Sequence, residues 1–308
     1  MGRYVVRRLL QMIPVFLGTT FLIYLLVYTI PGDPLAGKCG DRPCPPSFVA
    51  KFTEEFNLND PVLVQYVKYL GQLLQGNFGT NFSGRPISDI IAQTFPTSVK
   101  LALIAVGIEL VIGVAAGVLT GLGRGGFLDN LVLISTLLLI ALPIFVTAFV
   151  LQYLVGVKWG IVSPTVSPAA PFSELLLPAL VLASLSMAYV TRITRTSIVE
   201  NRSSDYVRTA TAKGLPRKRV IGIHLLRNSL IPVITFIGTD LGALMGGAIV
   251  TEGIFAINGL GQALFRAIVT KEGATVTGIV VLLVLVYLVM NLIVDLLYAV
   301  LDPRIRYD

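Results

Sequence analysis

Long apolar stretches dominate the pattern of this chain. Runs of about twenty residues with few or no charges recur, and each can cross a hydrocarbon core of roughly 30 Å as a helix. Six spans are predicted, at about Leu9–Ile30, Val99–Leu122, Leu128–Val157, Leu175–Val190, Leu230–Val250 and Thr277–Leu301. We therefore expect an all-α polytopic membrane protein, with Pro143 kinking the third span.

The same pattern divides the chain into three regions. Residues 1–98 are predicted to hold the first transmembrane helix and a long external loop, 99–301 the core transmembrane domain, and 302–308 a tail. The first apolar run is too long for a signal peptide and no small-residue cleavage site follows it, so we expect it to be retained.

Composition and charge add an orientation. Of the 308 residues, 55% are hydrophobic and 13% charged, against roughly 25% charged in soluble proteins. Fifteen Lys and Arg fall on the side that holds both termini and nine on the other, which predicts cytoplasmic N- and C-termini in the cell membrane. The excess of Lys and Arg on the cytoplasmic side explains the net charge of +7. Nothing in the sequence resembles a nucleic-acid module.

Catalytic and nucleotide-binding chemistry is missing from the sequence. No GxxxxGK[ST] motif occurs, His224 is the one histidine, and no metal-ligand cluster or serine elbow is present. We expect no catalytic residues, no metal and no cofactor bound by this chain. Glu109 and Asp295 look isolated within their spans, so ion-coupled transport has little support but stays open.

Cys39 and Cys44 lie in the predicted external loop. An extracytoplasmic space permits disulfides, and Gly40, Asp41 and Pro43 could supply the necessary turn. A disulfide and two free thiols both remain open.

A short helix at about 203–214 is predicted in the basic loop 191–229. Ser204 and Asp205 suit a helix N-terminus, Lys213 suits the last turn, and Gly214 suits a left-handed residue after it.

Tyr206, Val207 and Ala210 fall on one face of this helix. Such a helix could dock into a groove on a soluble partner or rest on anionic lipid.

This segment, Asp205 to Gly214 followed by Arg227 to Pro232, resembles the coupling motif of binding-protein-dependent ABC importer permeases. The likeness is closest to the B-type subunit of dipeptide and oligopeptide permeases. It implies that the helix seats in a cleft of an ATPase subunit, through Asp205, Tyr206, Val207, Arg208, Ala210, Lys213 and Gly214. The usual Glu-Ala-Ala triplet is replaced by Arg208, Thr209 and Ala210, so no salt bridge from an acidic residue there is expected.

Other landmarks of that family follow in order along the chain. They are Pro31–Pro34, Gly76–Thr80, Gly84–Pro86 and Asp302–Arg306.

The fifth span carries a stripe of small residues. Gly238, Gly242 and Gly246 recur every four residues and would let another helix approach closely. The resemblance implies that this span lines the translocation pathway. Asp240 beside the stripe then has two open roles, a contact with the amino terminus of a peptide or a structural polar contact.

The segment 251–261 resembles the part of these permeases that faces the external binding protein. The implied contacts are Ile254, Phe255, Asn258, Gly259 and Gly261. The alternative is an apolar turn that packs on the helix bundle.

The resemblance implies a type I ABC importer permease, with a six-helix fold and alternating access. Its expected partners are a second homologous permease subunit, two ATPase subunits that bind ATP and Mg, and an extracytoplasmic substrate-binding protein. Short peptides are the expected cargo, with haem and nickel complexes left open. An ion-coupled secondary transporter or channel, and a membrane-embedded enzyme, are the alternatives.

Overall fold

The computed structural model describes residues 2–29, 45–46, 49–50, 53 and 59–301. The regular structure of these residues is helical, apart from one isolated bridge between Thr80 and Pro86. The helices are α1 Gly2–Thr29, α2 Val62–Leu74, α3 Ile87–Leu122, α4 Phe127–Ala141, α5 Ile144–Lys158, α6 Phe172–Arg202, α7 Asp205–Ala212, α8 Arg217–Ser229, α9 Ile231–Ile254, α10 Leu260–Val269 and α11 Gly273–Leu301. The predicted all-α polytopic fold is confirmed.

Candidate membrane spans account for most of these helices. Four helices, α1, α3, α6 and α11, are long and apolar enough to cross a membrane, and the bent pairs α4–α5 and α8–α9 raise the number to six if each is one span. Each predicted span overlaps one of these helices or bent pairs, but its bounds differ from theirs at one end or at both. Helix α3 begins at Ile87 instead of Val99, and α6 continues to Arg202 beyond the predicted end at Val190.

Pro143 ends one helix and starts the next. Helices α4 and α5 meet at 107°, and Pro143 is the extended residue (φ −58°, ψ 140°) just before α5. Proline lacks the N–H that would bond to the preceding turn, and its ring pushes the residue before it out of the helical region. The predicted kink is therefore a complete break.

Two compact units make up the chain. Among the described residues, those up to Ser98 and those in Asn258–Leu292 form the first unit, and those in Val99–Ile257 and from Ile293 onward form the second. One boundary between the units falls between Ser98 and Val99. The first unit also takes in Asn258–Leu292, which the sequence placed in the core domain.

The first unit is held by polar contacts between helices. The Tyr66 hydroxyl donates to the Leu17 carbonyl at 2.9 Å and lies 2.7 Å from the Thr20 hydroxyl, which joins α2 to α1. The Leu260 backbone N–H donates to the Ser98 hydroxyl at 2.8 Å, which ties α10 to α3. Because both partners are buried, this bond removes a polar cost that either group alone would incur.

A glycine stripe organises the second unit. Gly113, Gly117 and Gly121 lie along α3, and a Cβ on them would come 2.8, 2.5 and 2.9 Å from Val190, Thr194 and Ile198 of α6. Any side chain at these positions would push the two helices apart, so the glycines set their close approach. The spacing is visible in the sequence, and our sequence analysis missed it.

Candidate functional site

The short helix predicted at about 203–214 is present as α7, Asp205–Ala212. Val207 and Ala210 are buried and join a small apolar cluster with Ile198 of α6 and with Val220 and Leu225 of α8. The prediction that Tyr206 shares this face is wrong, because its ring is exposed and only its hydroxyl is engaged, donating to Asn201 Oδ1 at 2.7 Å.

Of the two ends of α7, the C-terminal end agrees with the sequence prediction and the N-terminal end does not. Gly214 has a φ of +73°, the left-handed conformation that a glycine adopts without strain, and it ends the helix as predicted. Ser204 precedes the helix but its side chain does not cap it, because its hydroxyl donates to the Asn201 carbonyl instead.

Asn201 is the residue that joins α7 to its two neighbours. Its Nδ2 donates to the Ser197 carbonyl at 2.9 Å and lies 3.2 Å from both the Ser197 and Ser229 hydroxyls, while its Oδ1 accepts from Tyr206. One amide side chain therefore connects α6, α7 and α8. Our sequence analysis did not single it out, because its partners come together only when the helices pack.

The outer face of α7 is exposed and polar. Asp205, Arg208, Thr209 and Lys213 all face solvent, and Arg208 lies 4.0 Å from Asp205 with both side chains highly exposed. The start of α8 adds three exposed cations, Arg217, Lys218 and Arg219. This outer face can contact a partner without disturbing the apolar cluster behind it.

A charged clamp joins α4 to α6 in the same unit. Arg195 donates to both oxygens of Asp129, at 2.6 and 2.8 Å, and the Gly125 N–H donates to the same carboxylate at 2.9 Å. Arg202 donates to the Leu122 carbonyl at 3.2 Å. These contacts, which the sequence analysis missed, attach α6 to the turn between α3 and α4. The glycine-rich turn between α3 and α4 therefore also binds a carboxylate, through the Gly125 N–H.

The glycines of α9 meet different surroundings. A Cβ on Gly238 would lie 2.5 Å from Val294 of α11, whereas a Cβ on Gly246 would meet nothing within 4 Å, and Gly242 is buried. Close packing is therefore seen at Gly238. Gly246 leaves the surface of α9 open at its position within the described part of the chain.

Asp240 lies next to Glu109, which corrects the view that Glu109 is isolated. The two carboxyl groups interact electrostatically, and Ser186 of α6 lies beside Asp240. Glu109 is fully buried. Asp295 also makes a polar or electrostatic interaction.

The segment 251–261 is more buried than its predicted role suggests. Helix α9 continues to Ile254, whose carbonyl accepts from Gln152 Nε2 at 2.9 Å, and Phe255 and Ile257 are fully buried. The Phe255 carbonyl accepts from the Val166 N–H at 2.9 Å. Gly259 and Gly261 are also buried, so Asn258 is the exposed member of the five predicted contacts.

A polar cleft of about 370 Å³ opens in the first unit, at the start of α10 and α3. It contains Asn258, two exposed arginines, Arg85 and Arg266, and Glu272, which accepts from the Thr275 hydroxyl at 2.9 Å. Within the described chain neither arginine has a carboxylate at ion-pair distance. The cleft is suited to an acidic group.

Several predicted features lie outside the described residues. These are Cys39 and Cys44, the landmark Pro31–Pro34 and the landmark Asp302–Arg306. Among the described residues, no group of three or more His, Cys, Asp or Glu side chains could hold a metal ion.

Comparison with known proteins decides the family. Residues 113–307 match the family described as Binding-protein-dependent transport system inner membrane component, and residues 1–102 match Binding-prot-dependent transport system membrane comp, N-term. The chain belongs to this family. The resemblance predicted from the sequence is confirmed.

Curated relatives of this inner membrane component match along its whole length. It is 35% identical to the Dipeptide transport system permease protein DppB of Escherichia coli (strain K12), over 100% of this chain and 99% of that protein. It is also 35% identical to the Oligopeptide transport system permease protein AppB of Bacillus subtilis (strain 168), over 100% of both. The Di/tripeptide transport system permease protein DppB of Pseudomonas aeruginosa (strain UCBPP-PA14) is 34% identical over 99% of both chains.

Proposed function

We propose that this chain is the permease subunit of an ATP-driven importer of short peptides. The family and the names of its full-length relatives support this function. The observation that carries the coupling role is α7, a short helix with an exposed polar face and a buried apolar face anchored by Asn201. In this function the chain performs no covalent chemistry and binds no cofactor, and ATP and Mg act in partner subunits.

The proposed complex contains a second homologous permease subunit, two ATPase subunits and an extracytoplasmic binding protein. Both termini and α7 face the cytoplasm, as the excess of Lys and Arg on that side supports. When the ATPase subunits close, they move α7. The apolar cluster and the Asn201 hydrogen bonds then pass this displacement to α6 and α8, and α8 continues into α9.

Helix α9 lines the pathway through Gly238, Asp240, Gly242 and Gly246 in this proposal. The open surface at Gly246 supports the role, because nothing within the described chain fills it. The close contact between Gly238 and Val294 supports a fixed attachment of α9 to α11 near Gly238. Peptides would pass along α9 near Gly246, while the part of α9 near Gly238 would transmit the motion.

The external cleft is the proposed contact for the binding protein. Asn258, Arg85 and Arg266 present hydrogen-bond donors and positive charge without carboxylate partners in the described chain. Gly259 and Gly261, close to Asn258 in the chain, are buried, which supports a fixed position for the exposed Asn258. Acidic side chains on the binding protein would fit this cleft.

Reconstitution of the full complex in nanodiscs tests the function. We expect peptide-loaded binding protein to stimulate ATP hydrolysis, and Thr209→Trp on the outer face of α7 to abolish both stimulation and recovery of ATPase subunits during purification. Arg124→Glu, on the exposed turn between α3 and α4, is the matched control and should retain both.

Transport without ATP would overturn the proposal. If the chain alone moves peptides into liposomes under an ion gradient, and Thr209→Trp leaves this activity intact, the ion-coupled alternative is correct.

A further inference from the structure

Helix α2 exposes a stripe of apolar side chains. Leu63, Val67 and Leu74 are 63%, 60% and 90% exposed within the described part of the chain. Their spacing of four and seven residues puts them within about 40° of one another around a helix of 3.6 residues per turn. Large apolar side chains that align in this way form a surface suited to an apolar neighbour.

A polar stripe runs along another side of α2. Lys68 and Gln72 are exposed, and Lys68 forms an ion pair with Asp60 at 2.5 Å. The helical spacing places this stripe about 140° from the apolar one, with Val64 and Gly71 between them. The exposed surface of α2 is therefore amphipathic.

The buried face of α2 is attached to α1. The Tyr66 hydroxyl donates to the Leu17 carbonyl at 2.9 Å and lies 2.7 Å from the Thr20 hydroxyl. The Tyr24 hydroxyl donates to Gln65 Oε1 at 3.3 Å, and both of these side chains are buried. These bonds hold α2 against the part of α1 between Leu17 and Tyr24.

Val27 lies at the end of the membrane-spanning part of α1. The apolar span covers Val5–Val27, and a Cβ on Gly273, where the span of α11 begins, would come 2.8 Å from Val27. Two candidate spans therefore end at the same level. At 1.5 Å per residue, Tyr24 and Thr20 lie about 5 and 10 Å from this level, inside the span of α1.

This depth is typical of an amphipathic helix at a membrane interface. Such a helix buries its apolar face about 5–10 Å into the boundary between headgroups and acyl chains and keeps its polar face in water. Tyr24 and Tyr66 fit the same level, because tyrosine collects where its ring meets apolar groups and its hydroxyl meets polar ones. Over the same depth α1 exposes Leu22 and Leu26, as a helix in contact with lipid does.

We propose that α2 is an interfacial helix, with Leu63, Val67 and Leu74 among the acyl chains of the leaflet at the Val27 end of α1. Lys68 and Gln72 face the headgroups and water. In the proposed topology this is the outer leaflet. The lipid contact depends neither on that orientation nor on the transported cargo, and it gives the first unit a hold on the membrane outside its spans.

Photo-crosslinking identifies what covers the apolar stripe. Benzoylphenylalanine is placed at one position at a time, and the complex that purifies with this chain is illuminated in nanodiscs of phosphatidylethanolamine and phosphatidylglycerol. We expect phospholipid adducts at Val67 and Leu74, by mass spectrometry, to be about five-fold more abundant than at Gln72. Gln72 is the matched control on the polar stripe, and Leu22 of α1 is the reference for the yield of the reaction. All four positions are exposed, so the probe does not enter the folded core.

Three results of this experiment would overturn the proposal. A crosslink from Val67 or Leu74 to a protein segment, in this chain or in a companion subunit, would assign the stripe to a protein interface. Equal lipid adducts at Val67 and Gln72 would show that α2 has no preferred side toward lipid. Reaction at Leu22 without any adduct at Val67 and Leu74 would show that the stripe faces water.

Fluorescence quenching measures the depth of α2 independently. An environment-sensitive fluorescent amino acid at Val67 should emit at a shorter wavelength than the same probe at Gln72. A nitroxide near the lipid headgroup should quench it more strongly than one at the end of the acyl chain, whereas aqueous iodide should quench the probe at Gln72 more. Stronger quenching from the chain end would place α2 at the bilayer centre, and no quenching by either lipid would place it outside the membrane. Both results contradict the proposal.

Discussion

Two segments of this permease resemble partner-contacting parts of its family, and they differ in what they leave exposed. Helix α7 buries Val207 and Ala210 and presents a polar outer face. The segment 254–261 buries Phe255 and Ile257 completely, and Asn258 is its exposed predicted contact. We infer that α7 meets its partner with several of its own side chains, whereas the second segment offers Asn258 alone of its predicted contacts.

The physical reason lies in the composition of the two segments. Helix α7 has two apolar residues that match the small cluster on α6 and α8, and its remaining positions are polar or small. The second segment has consecutive apolar residues, and its backbone carbonyls accept from the Val166 N–H and from the Gln152 side-chain amide, which fixes it in the core. Substitutions should therefore affect folding in the second segment and coupling in the first.

Phe255→Ala should produce the largest effect. Removal of a fully buried aromatic ring leaves a cavity and is expected to cost about 3–5 kcal/mol of stability. Thermal unfolding of the purified protein measures the loss, with Asn258→Ala as the exposed control in the same segment. If Phe255→Ala unfolds normally but no longer binds the binding protein, Phe255 is a direct contact and the contrast between the segments is wrong.

Asn201→Ala should have an intermediate effect on stability and a large one on coupling. The variant loses the bonds that join α6, α7 and α8, at an expected cost of about 1–3 kcal/mol. ATP hydrolysis should continue while its stimulation by peptide-loaded binding protein falls. The control is Asn228→Ala, whose exposed amide donates to the His224 carbonyl at 3.3 Å. Equal stimulation in both variants would remove Asn201 from the coupling path.

Gly214→Val should cost about 1–2 kcal/mol, because a β-branched residue is strained at a φ of +73°. Gly214→Asn should be tolerated, since asparagine adopts this conformation more readily. Open space surrounds Gly214 within the described chain, so the two variants compare conformation and not a clash. Chemical or thermal unfolding measures the difference, and equal losses would contradict the conformational explanation.

Arg208→Glu should leave stability unchanged, because its side chain is highly exposed. Its effect should appear in binding of the ATPase subunits, several-fold weaker at low salt and less so at high salt. Arg208→Gln should weaken binding of the ATPase subunits less than Arg208→Glu does. A change in unfolding temperature without a change in ATPase binding would show that the outer face of α7 is structural.

Local signals were sufficient for much of the fold. Apolar runs located the four candidate spans and the two bent helix pairs, and Gly214 and the residues around it located the end of α7. These features depend on hydrogen bonds and periodicity within a few residues, which the order of residues contains directly. The predicted bounds were less accurate at the start of α3, Ile87, and at the end of α6, Arg202. Polar residues extend both helices beyond their apolar runs, so a search for apolar runs misses these ends.

The sequence by itself determined the helical membrane class, the short amphipathic helix α7 and the absence of a nucleotide motif, because each is a property of composition or of neighbours along the chain. Tertiary structure alone decided that Glu109 meets Asp240, that Asn201 connects three helices and that Phe255 is buried. Those contacts depend on how far each helix is rotated and how closely it packs, and residues far apart in the chain set both.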